Sequence, residues 1–176
     1  DDGRWVPTFP KARYIFSKAD YDYYAALDRD AEKGPANHGS FRDSVLPIVD
    51  AGLAEIVSGA HALDEHLSIE PAPGHTPGSV AVKLASKGAG AVFSGDILHH
   101  AIQLAHPEWN SFVCVDGAVA RKSRRQVLEH CVGRGALLMP AHFGAPFVCH
   151  VEEKGKAFAP RFVSRRCRRS ARKSVG

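Results

Sequence analysis

The segment PAPGHTPGSVAV, residues 71–82, surrounds one histidine, His75, with residues that restrict the backbone. Two prolines and a glycine precede His75, and Thr-Pro-Gly follows it before an alternating, strand-like run. Proline presets φ, and glycine permits a tight turn without a Cβ clash. Such a loop has few conformations, and metal ligands must be held to within roughly 0.5 Å of their working geometry. The segment therefore predicts that His75 is rigidly positioned, as a metal ligand must be.

Two further polar side chains follow strand-like segments. Asp96 comes after AVFSG, and His142 comes after LLMPA. In layered α/β folds, reactive groups gather at strand ends, where a rigid sheet holds them. We therefore expect His75, Asp96 and His142 to converge, with side-chain tips within roughly 4–7 Å of one another, as shared metal ligands require.

Strand-like and helix-like segments alternate along the chain, which predicts the mixed α/β (α+β) class in one unit. Capping-box patterns at residues 17–20 and 40–43 predict two helices, the first ending at Gly34-Pro35 and the second near Gly52. Pro47 lies inside the second helix and should kink or shorten it. A third helix is predicted from Asp116, as N-cap, to residue 131, with Gly133 beyond its end. The predicted strands cover residues 12–17, 52–59, 66–74, 79–86, 91–96 and 136–142.

The composition is that of an ordinary soluble globular domain, with 44% hydrophobic and 24% charged residues. No apolar run approaches the roughly 18 residues of a membrane helix, and the first residues do not resemble a signal peptide. The four cysteines form no C-x-x-C pair, so we expect reduced thiols and a cytoplasmic location. No membrane partner is expected.

The basic charge is concentrated at the end of the chain. Six of the 23 basic residues lie within residues 164–176, and the remaining 17 are outnumbered by 19 acidic residues. We expect a domain over residues 1–163 and a disordered basic tail over 164–176. Nucleic-acid binding by the tail is the less favoured alternative, because no aromatic residues are interleaved to stack bases.

The chain resembles the metallo-β-lactamase-fold hydrolases, in the branch of the N-acyl-homoserine lactonases and methyl parathion hydrolase-like enzymes. The segments that carry the resemblance are FPKARYIFSKADYDYY, SVLPIVDAGL, PAPGHTPGS, SGDILHHAIQLAHPEWNS and MPAHF. The resemblance implies an αββα sandwich with a pair of zinc ions at one edge. His75 would bind the first ion, Asp96 would bridge both, and His142 would bind the second. It also implies that a hydroxide held between the zinc ions attacks a lactone, ester or phosphoester, which makes Asp96 the central catalytic residue.

The family's most diagnostic motif, His-x-His-x-Asp-His, does not occur in these 176 residues, since no two histidines are spaced i, i+2. We therefore expect the C-terminal part of the sandwich, without the N-terminal half that carries the motif. Zinc binding should be partial or absent and hydrolysis impaired, unless a homo-oligomer or a complementing N-terminal fragment completes the site. The alternative is a non-catalytic remnant or binding module that has lost its metal centre.

Several residues near the expected ligands have two interpretations. His99 and His100 either contact the ligands or substrate, or are loop histidines with ordinary hydrogen bonds. Trp109 could line an acyl pocket, but burial in the core is favoured. Tyr21, Tyr23 and Tyr24 are expected to pack their helix.

Overall fold

The computed structural model describes residues 3–30, 34 and 36–163, and its centre is a seven-stranded mixed sheet. The strands lie in the order β3-β4-β5-β6-β7-β8-β9, and β1 and β2 form a separate parallel pair. Within the large sheet β6 and β7 are parallel and the other neighbours are antiparallel. The strands are β1 (Tyr14–Ser17), β2 (Ala54–Val57), β3 (His61–Ala62), β4 (Leu67–Pro71), β5 (Val80–Ser86), β6 (Ala89–Phe93), β7 (Leu137–Met139), β8 (Cys149–Lys154) and β9 (Ala157–Phe162).

Within the described residues, four α-helices accompany the strands. They are α1 (Lys18–Arg29), α2 (Leu46–Asp50), α3 (Ile102–Ala105) and α4 (Gly117–Arg134). Short 3₁₀ helices occupy Ala36–Gly39 and Gly95–Ile97, and a π-helical turn, Phe41–Val45, leads into α2. These elements confirm the mixed α/β class expected of a metallo-β-lactamase fold.

The main core lies between α4 and the large sheet. Helix α4 is buried along the stripe Ala120, Val127, Leu128 and Cys131, whose spacing is that of one helix face. This stripe belongs to the same apolar cluster as buried residues of β6, β7 and β8. A smaller cluster joins α1 to the turn before α2, around Ala25, Ala36 and Phe41.

The strand register explains why ligand candidates collect at one edge. Phe93 of β6 pairs with Met139 of parallel β7, and Asp96 and His142 each lie three residues beyond that pair. Because β5 is antiparallel to β6, the start of β5, which His75 precedes, lies at the same edge. All three residues therefore lie at the same end of the central strands.

Several boundaries differ from the sequence prediction. Helix α1 ends at Arg29 rather than at Gly34, and neither Ser17 nor Ser40 makes a side-chain capping bond. Gly133 lies inside α4, which continues to Arg134 and ends on the left-handed Gly135.

Other predictions about the elements are confirmed. Asp116 caps α4 by accepting bonds from the backbone of Ala118 and Val119. Pro47 lies in the first turn of the short α2, which is where a proline is tolerated. The β8–β9 hairpin was not predicted. The proposed tail, residues 164–176 with Cys167, lies outside the described residues.

Candidate metal centre

Asp96 lies between two histidines, one at each of its carboxylate oxygens. The Nε2 atom of His142 is 2.7 Å from Asp96 Oδ1, and the Nε2 atom of His75 is 3.5 Å from Asp96 Oδ2. The His99 ring stacks on His142, with centroids 4.9 Å apart and planes 4° apart, and its centroid is 5.0 Å from that of His75. The structure therefore brings His75, Asp96 and His142 together, and it adds His99 to them.

The loop that carries His75 is held by close backbone packing. A Cβ on Gly74 would overlap the backbone of Ala120 in α4, and one on Gly78 would overlap Ser17 and Asp20. Gly74 has φ of +125°, which side-chain-bearing residues rarely adopt. The glycines around His75 are thus required by the approach of two helices as well as by the turn.

Asp20 of α1 fixes the same loop by hydrogen bonds. Its carboxylate accepts a bond of 2.7 Å from the Thr76 hydroxyl and one of 2.6 Å from the Gly78 backbone N–H. The Thr76 backbone N–H donates to the Ser79 hydroxyl. The carbonyl of His75 accepts from the backbone of Val115, which ties the loop to the segment before α4. Asp20, which the sequence pattern assigned to a capping box, instead supports the His75 loop.

The segment that carries Asp96 and His99 is anchored from the core by Arg124. This side chain is 0% exposed, and its guanidinium donates to the carbonyls of Ile97, Pro107 and Trp109 and to the Asn110 amide oxygen. All of these partners are uncharged carbonyl or amide oxygens, and burial lowers the pKa of the Arg124 guanidinium. The anchored carbonyl of Ile97 follows Asp96 directly in the chain.

Gln103 anchors His99 more directly. Its amide oxygen accepts 2.7 Å and 3.2 Å bonds from the backbone N–H groups of His99 and His100, and its amide nitrogen donates to the Trp109 carbonyl. Gln103 is 4% exposed, so these bonds are protected from water. The backbone of His99 is consequently fixed by a buried side chain.

His99 is a partly buried imidazole with an unpaired nitrogen. Its Nδ1 atom is buried and has no hydrogen-bond partner. Burial lowers the pKa of His99, and the neighbouring His75 and His142 add to that effect. The neutral form that burial favours is the form that binds metals.

The donor set of this cluster fits a zinc ion. Asp96, His99 and His142 each offer a ligand atom, and these atoms lie within 4.8 Å of one another. Imidazole nitrogens and a carboxylate oxygen are ordinary zinc ligands. The unpaired Nδ1 of His99 is the kind of orphaned atom that a bound ion could satisfy.

His100 and Trp109 are both exposed to solvent. His100 is exposed, and its Nδ1 accepts from the Ile102 backbone N–H at the start of α3. Trp109 is 52% exposed and stacks on His106, with ring centroids 4.2 Å apart. The prediction that Trp109 is buried in the core is therefore wrong, because the tryptophan packs on a surface histidine instead.

A cleft of about 750 Å³ opens beside Asp96 and His75. Asp20, Tyr23 and Tyr24 of α1 form part of its polar lining, while Leu27, Val113 and Val115 contribute apolar surface. Burial raises the pKa of Tyr24, and the nearby Asp20 raises it further. Tyr21 packs on Phe41, as expected for a packing residue, whereas Tyr23 and Tyr24 also face the cleft.

Sequence reasoning missed four residues that surround the site: Asp20, Gln103, Cys114 and Arg124. The Cys114 sulfur lies 4.0 Å from Nδ1 of His75, on the side opposite Asp96. The partners of Asp20, Cys114 and Arg124 lie at least 14 residues away in the chain, and Gln103 bonds to nearby backbone groups without a recognisable motif. An arginine at a core-facing position of α4 was the one available signal.

Solved structures of hydrolases resemble this fold. AidC, a dizinc quorum-quenching lactonase solved with the product N-hexanoyl-L-homoserine, aligns with a TM-score of 0.69 and 22% identity, over 90% of this chain and 59% of that one. The hydrolase AbOPH of the β-lactamase superfamily aligns with a TM-score of 0.75 and 20% identity, over 89% and 56%. A probable metal-dependent hydrolase from Staphylococcus aureus aligns with a TM-score of 0.63 and 13% identity, over 89% of this chain and 55% of that one. The chain thus spans little more than half the length of these proteins.

No curated protein sequence matches the chain. The model of the metallo-beta-lactamase superfamily, in contrast, matches residues 13–142, which include β1, the His75 loop, Asp96 and His142. That match covers most of the chain, and the chain therefore belongs to the metallo-β-lactamase superfamily.

Proposed function

We propose that this chain carries part of the active site of a metal-dependent hydrolase that cleaves lactones, esters or phosphoesters. The observation that carries the proposal is the arrangement around Asp96, whose two oxygens face different histidines. A carboxylate placed in this way can bridge two zinc ions, with His75 on one side and His142 on the other.

The roles of the residues follow from that arrangement. His75, Asp96 and His142 would hold zinc, which when bound supplies Lewis-acid polarisation of the scissile group and activation of water. The cleft would receive the substrate, with Leu27, Val113 and Val115 offering an apolar wall for a hydrocarbon substituent. His99 and His100 would lie around the metal and substrate, His100 at the rim.

Lactones and related esters are the substrate class that the comparisons support. AidC was solved with a hydrolysed lactone product, and an N-acyl homoserine lactone hydrolase of similar fold was solved with its product at the catalytic metal centre. These ligands belong to those proteins, and their identities with this chain are 22% and 15%. The substrate of this chain is accordingly proposed only at the level of its chemical class.

We further propose that the chain acts poorly alone. The His-x-His-x-Asp-His motif of the family is missing from these 176 residues. A catalytic zinc site usually has three protein ligands, and the family set supplies two to each ion here. A second copy of the chain or an N-terminal fragment would have to complete the pair.

None of the described helices is long and apolar enough to cross a membrane. Cys114, Cys131 and Cys149 are free thiols, which favours a reducing compartment, and we propose the cytoplasm. Nucleic-acid binding is not part of the proposal, because only residues 164–176 suggested it.

Asp96→Ala tests the proposal. Any zinc that the parent chain binds should be lost, and slow zinc-dependent hydrolysis of an aryl ester or lactone should disappear, because the shared ligand is gone. Asp50→Ala, which removes an exposed carboxylate of α2, is the matched control and should change neither. Absence of bound metal in the parent chain would instead favour a non-catalytic remnant.

A further inference from the structure

We propose that His99 is a direct metal ligand, and that Asp96, His99 and His142 together let this chain hold one metal ion by itself. The inference rests on the proposed function for the presence of a metal centre. It goes further by adding a ligand and by locating one ion, the ion that His142 would bind, on the Oδ1 side of Asp96.

Distances between the donor atoms support this set. The three ligand atoms lie within 4.8 Å of one another, and the closest stated pair, His142 Nε2 and Asp96 Oδ1, is 2.7 Å apart. Ligands about 2.0–2.2 Å from a tetrahedral zinc ion are themselves roughly 3.4 Å apart. The donor atoms are therefore close enough to reach one ion, although the parallel His99 and His142 rings must turn toward each other before both can bind it.

The unpaired nitrogen of His99 supports it independently. A buried polar atom without a partner costs about 1–3 kcal/mol, and most such atoms in native proteins have a partner. Nδ1 of His99 is buried and unpartnered. If His99 only packed against His142, a phenylalanine would serve that purpose without the cost.

The backbone of His99 is also fixed by hydrogen bonds that do not depend on a bound metal ion. Its N–H donates to Gln103, which is 4% exposed and itself held by the Trp109 carbonyl. Metal ligands bind well when surrounding residues fix them before the ion arrives. The contrast is His100, which is exposed and uses its Nδ1 to accept a backbone bond.

His75 belongs to the other side of Asp96. It approaches Oδ2 rather than Oδ1, and it is not a member of the three-residue group within 4.8 Å. A single ion on the Oδ1 side would thus have three protein ligands, the number typical of catalytic zinc sites. An ion on the His75 side would still depend on ligands beyond this set.

The test compares metal binding by the full chain and by His99→Phe. Phenylalanine keeps a ring to stack on His142 but removes both nitrogens. The metal-free chain is titrated with Co²⁺, followed by its visible absorption, and with Zn²⁺ in competition with a chelator. His66→Phe, which makes the same change in an exposed ring, is the matched control.

The parent chain and His66→Phe should each bind one ion, and His99→Phe should bind it more than about 100-fold more weakly. Loss of a residue that merely orients a ligand typically costs 10- to 100-fold, so the larger loss identifies a direct ligand. Nitrogen-15 spectra of the histidine rings in the parent chain should also show ring nitrogens of His99 and His142 shifting on addition of Zn²⁺. This readout does not require the variant to fold.

The outcomes separate the two proposals. If metal binds the parent chain, but His99→Phe binds equally well and the His99 nitrogens do not shift, the inference is wrong while the proposed function stands. If the parent chain alone binds no metal, the inference is wrong, and the proposed function then depends on whether an added N-terminal fragment restores metal binding. A loss confined to His99→Phe, Asp96→Ala and His142→Ala supports both.

Discussion

At the scale of single residues, Asp20 shows how a carboxylate on one element can fix a loop on another. It accepts hydrogen bonds from Thr76 and from the Gly78 backbone, on either side of Pro77. Asp20→Ala would leave the Gly78 N–H without its partner and release the loop that carries His75. Hydrogen bonds to charged groups contribute about 1.5–3 kcal/mol, so we expect a loss of about 2 kcal/mol in the free energy of unfolding, measured by urea denaturation.

Asp22→Ala is the control for that change. Asp22 lies two residues along the same helix, and its partner is the exposed Lys18, four residues earlier. Exposed pairs of this kind contribute about 0.3–0.5 kcal/mol. Equal losses in the two variants would show that Asp20 stabilises α1 locally and does not hold the His75 loop.

At the scale of elements, Arg124 joins helix α4 to the segment between β6 and α4. Its buried guanidinium donates to three backbone carbonyls and to Asn110, and the bonds to Ile97 and Pro107 are themselves buried. Arg124→Met would remove the guanidinium partner of the Ile97 and Pro107 carbonyls, whereas the Trp109 carbonyl would keep its bond from Gln103. We expect a loss of at least about 2 kcal/mol in the free energy of unfolding, together with weaker metal binding, because the Ile97 carbonyl beside Asp96 is released.

Arg121→Met provides the matched comparison, since Arg121 is an exposed arginine one helical turn earlier. It should change the free energy of unfolding by less than about 0.5 kcal/mol. If Arg124→Met is destabilised but binds metal with the affinity of the parent chain, then Arg124 stabilises the core and does not position Asp96.

The same elements show what the sequence can and cannot predict. His75, Asp96 and His142 could be expected at one sheet edge, because each adjoins a strand and strand ends are recognisable locally. Asp20 and Arg124 could not, because their partners are 56 to 58 residues away in one case and up to 27 in the other. The β8–β9 hairpin was missed for a different reason. CHVEEK is largely polar, and AFAPRF has a proline in its interior, which argues against a strand but is tolerated at a sheet edge such as β9.

At the scale of the whole molecule, the reactivity of two buried thiols can be used to test how well the core between α4 and the sheet excludes water. Cys131 of α4 is 1% exposed and Cys149 of β8 is 0% exposed. Burial raises the pKa of Cys131 to about 12 and that of Cys149 to about 11, from an ordinary value of 9.0. Both thiols should therefore resist alkylation in the folded protein at pH 8, as peptide mass mapping can show, and react fully in denaturant.

The raised pKa values also predict how stability depends on pH. Because the folded state keeps these protons longer than the unfolded chain, their contribution is complete below about pH 9. It is lost as the pH rises from about 9 towards 11–12, where the unfolded chain binds fewer protons. Each thiol should lower the free energy of unfolding by about 1.4 kcal/mol per pH unit in that interval.

Cys131→Ala isolates this contribution from the lysines and tyrosines that titrate in the same range. The slope of the free energy of unfolding against pH, from urea denaturation between pH 9.5 and 11, should become shallower by about 1.4 kcal/mol per unit. Val127→Ala also removes core volume from α4 but no thiol, so it should lower stability and leave the slope unchanged. Parallel slopes for the parent chain and Cys131→Ala would mean that Cys131 ionises as readily in the folded protein as in the unfolded one. Such a thiol would be in contact with water, and the core between α4 and β8 would be less tightly closed than the structure has it.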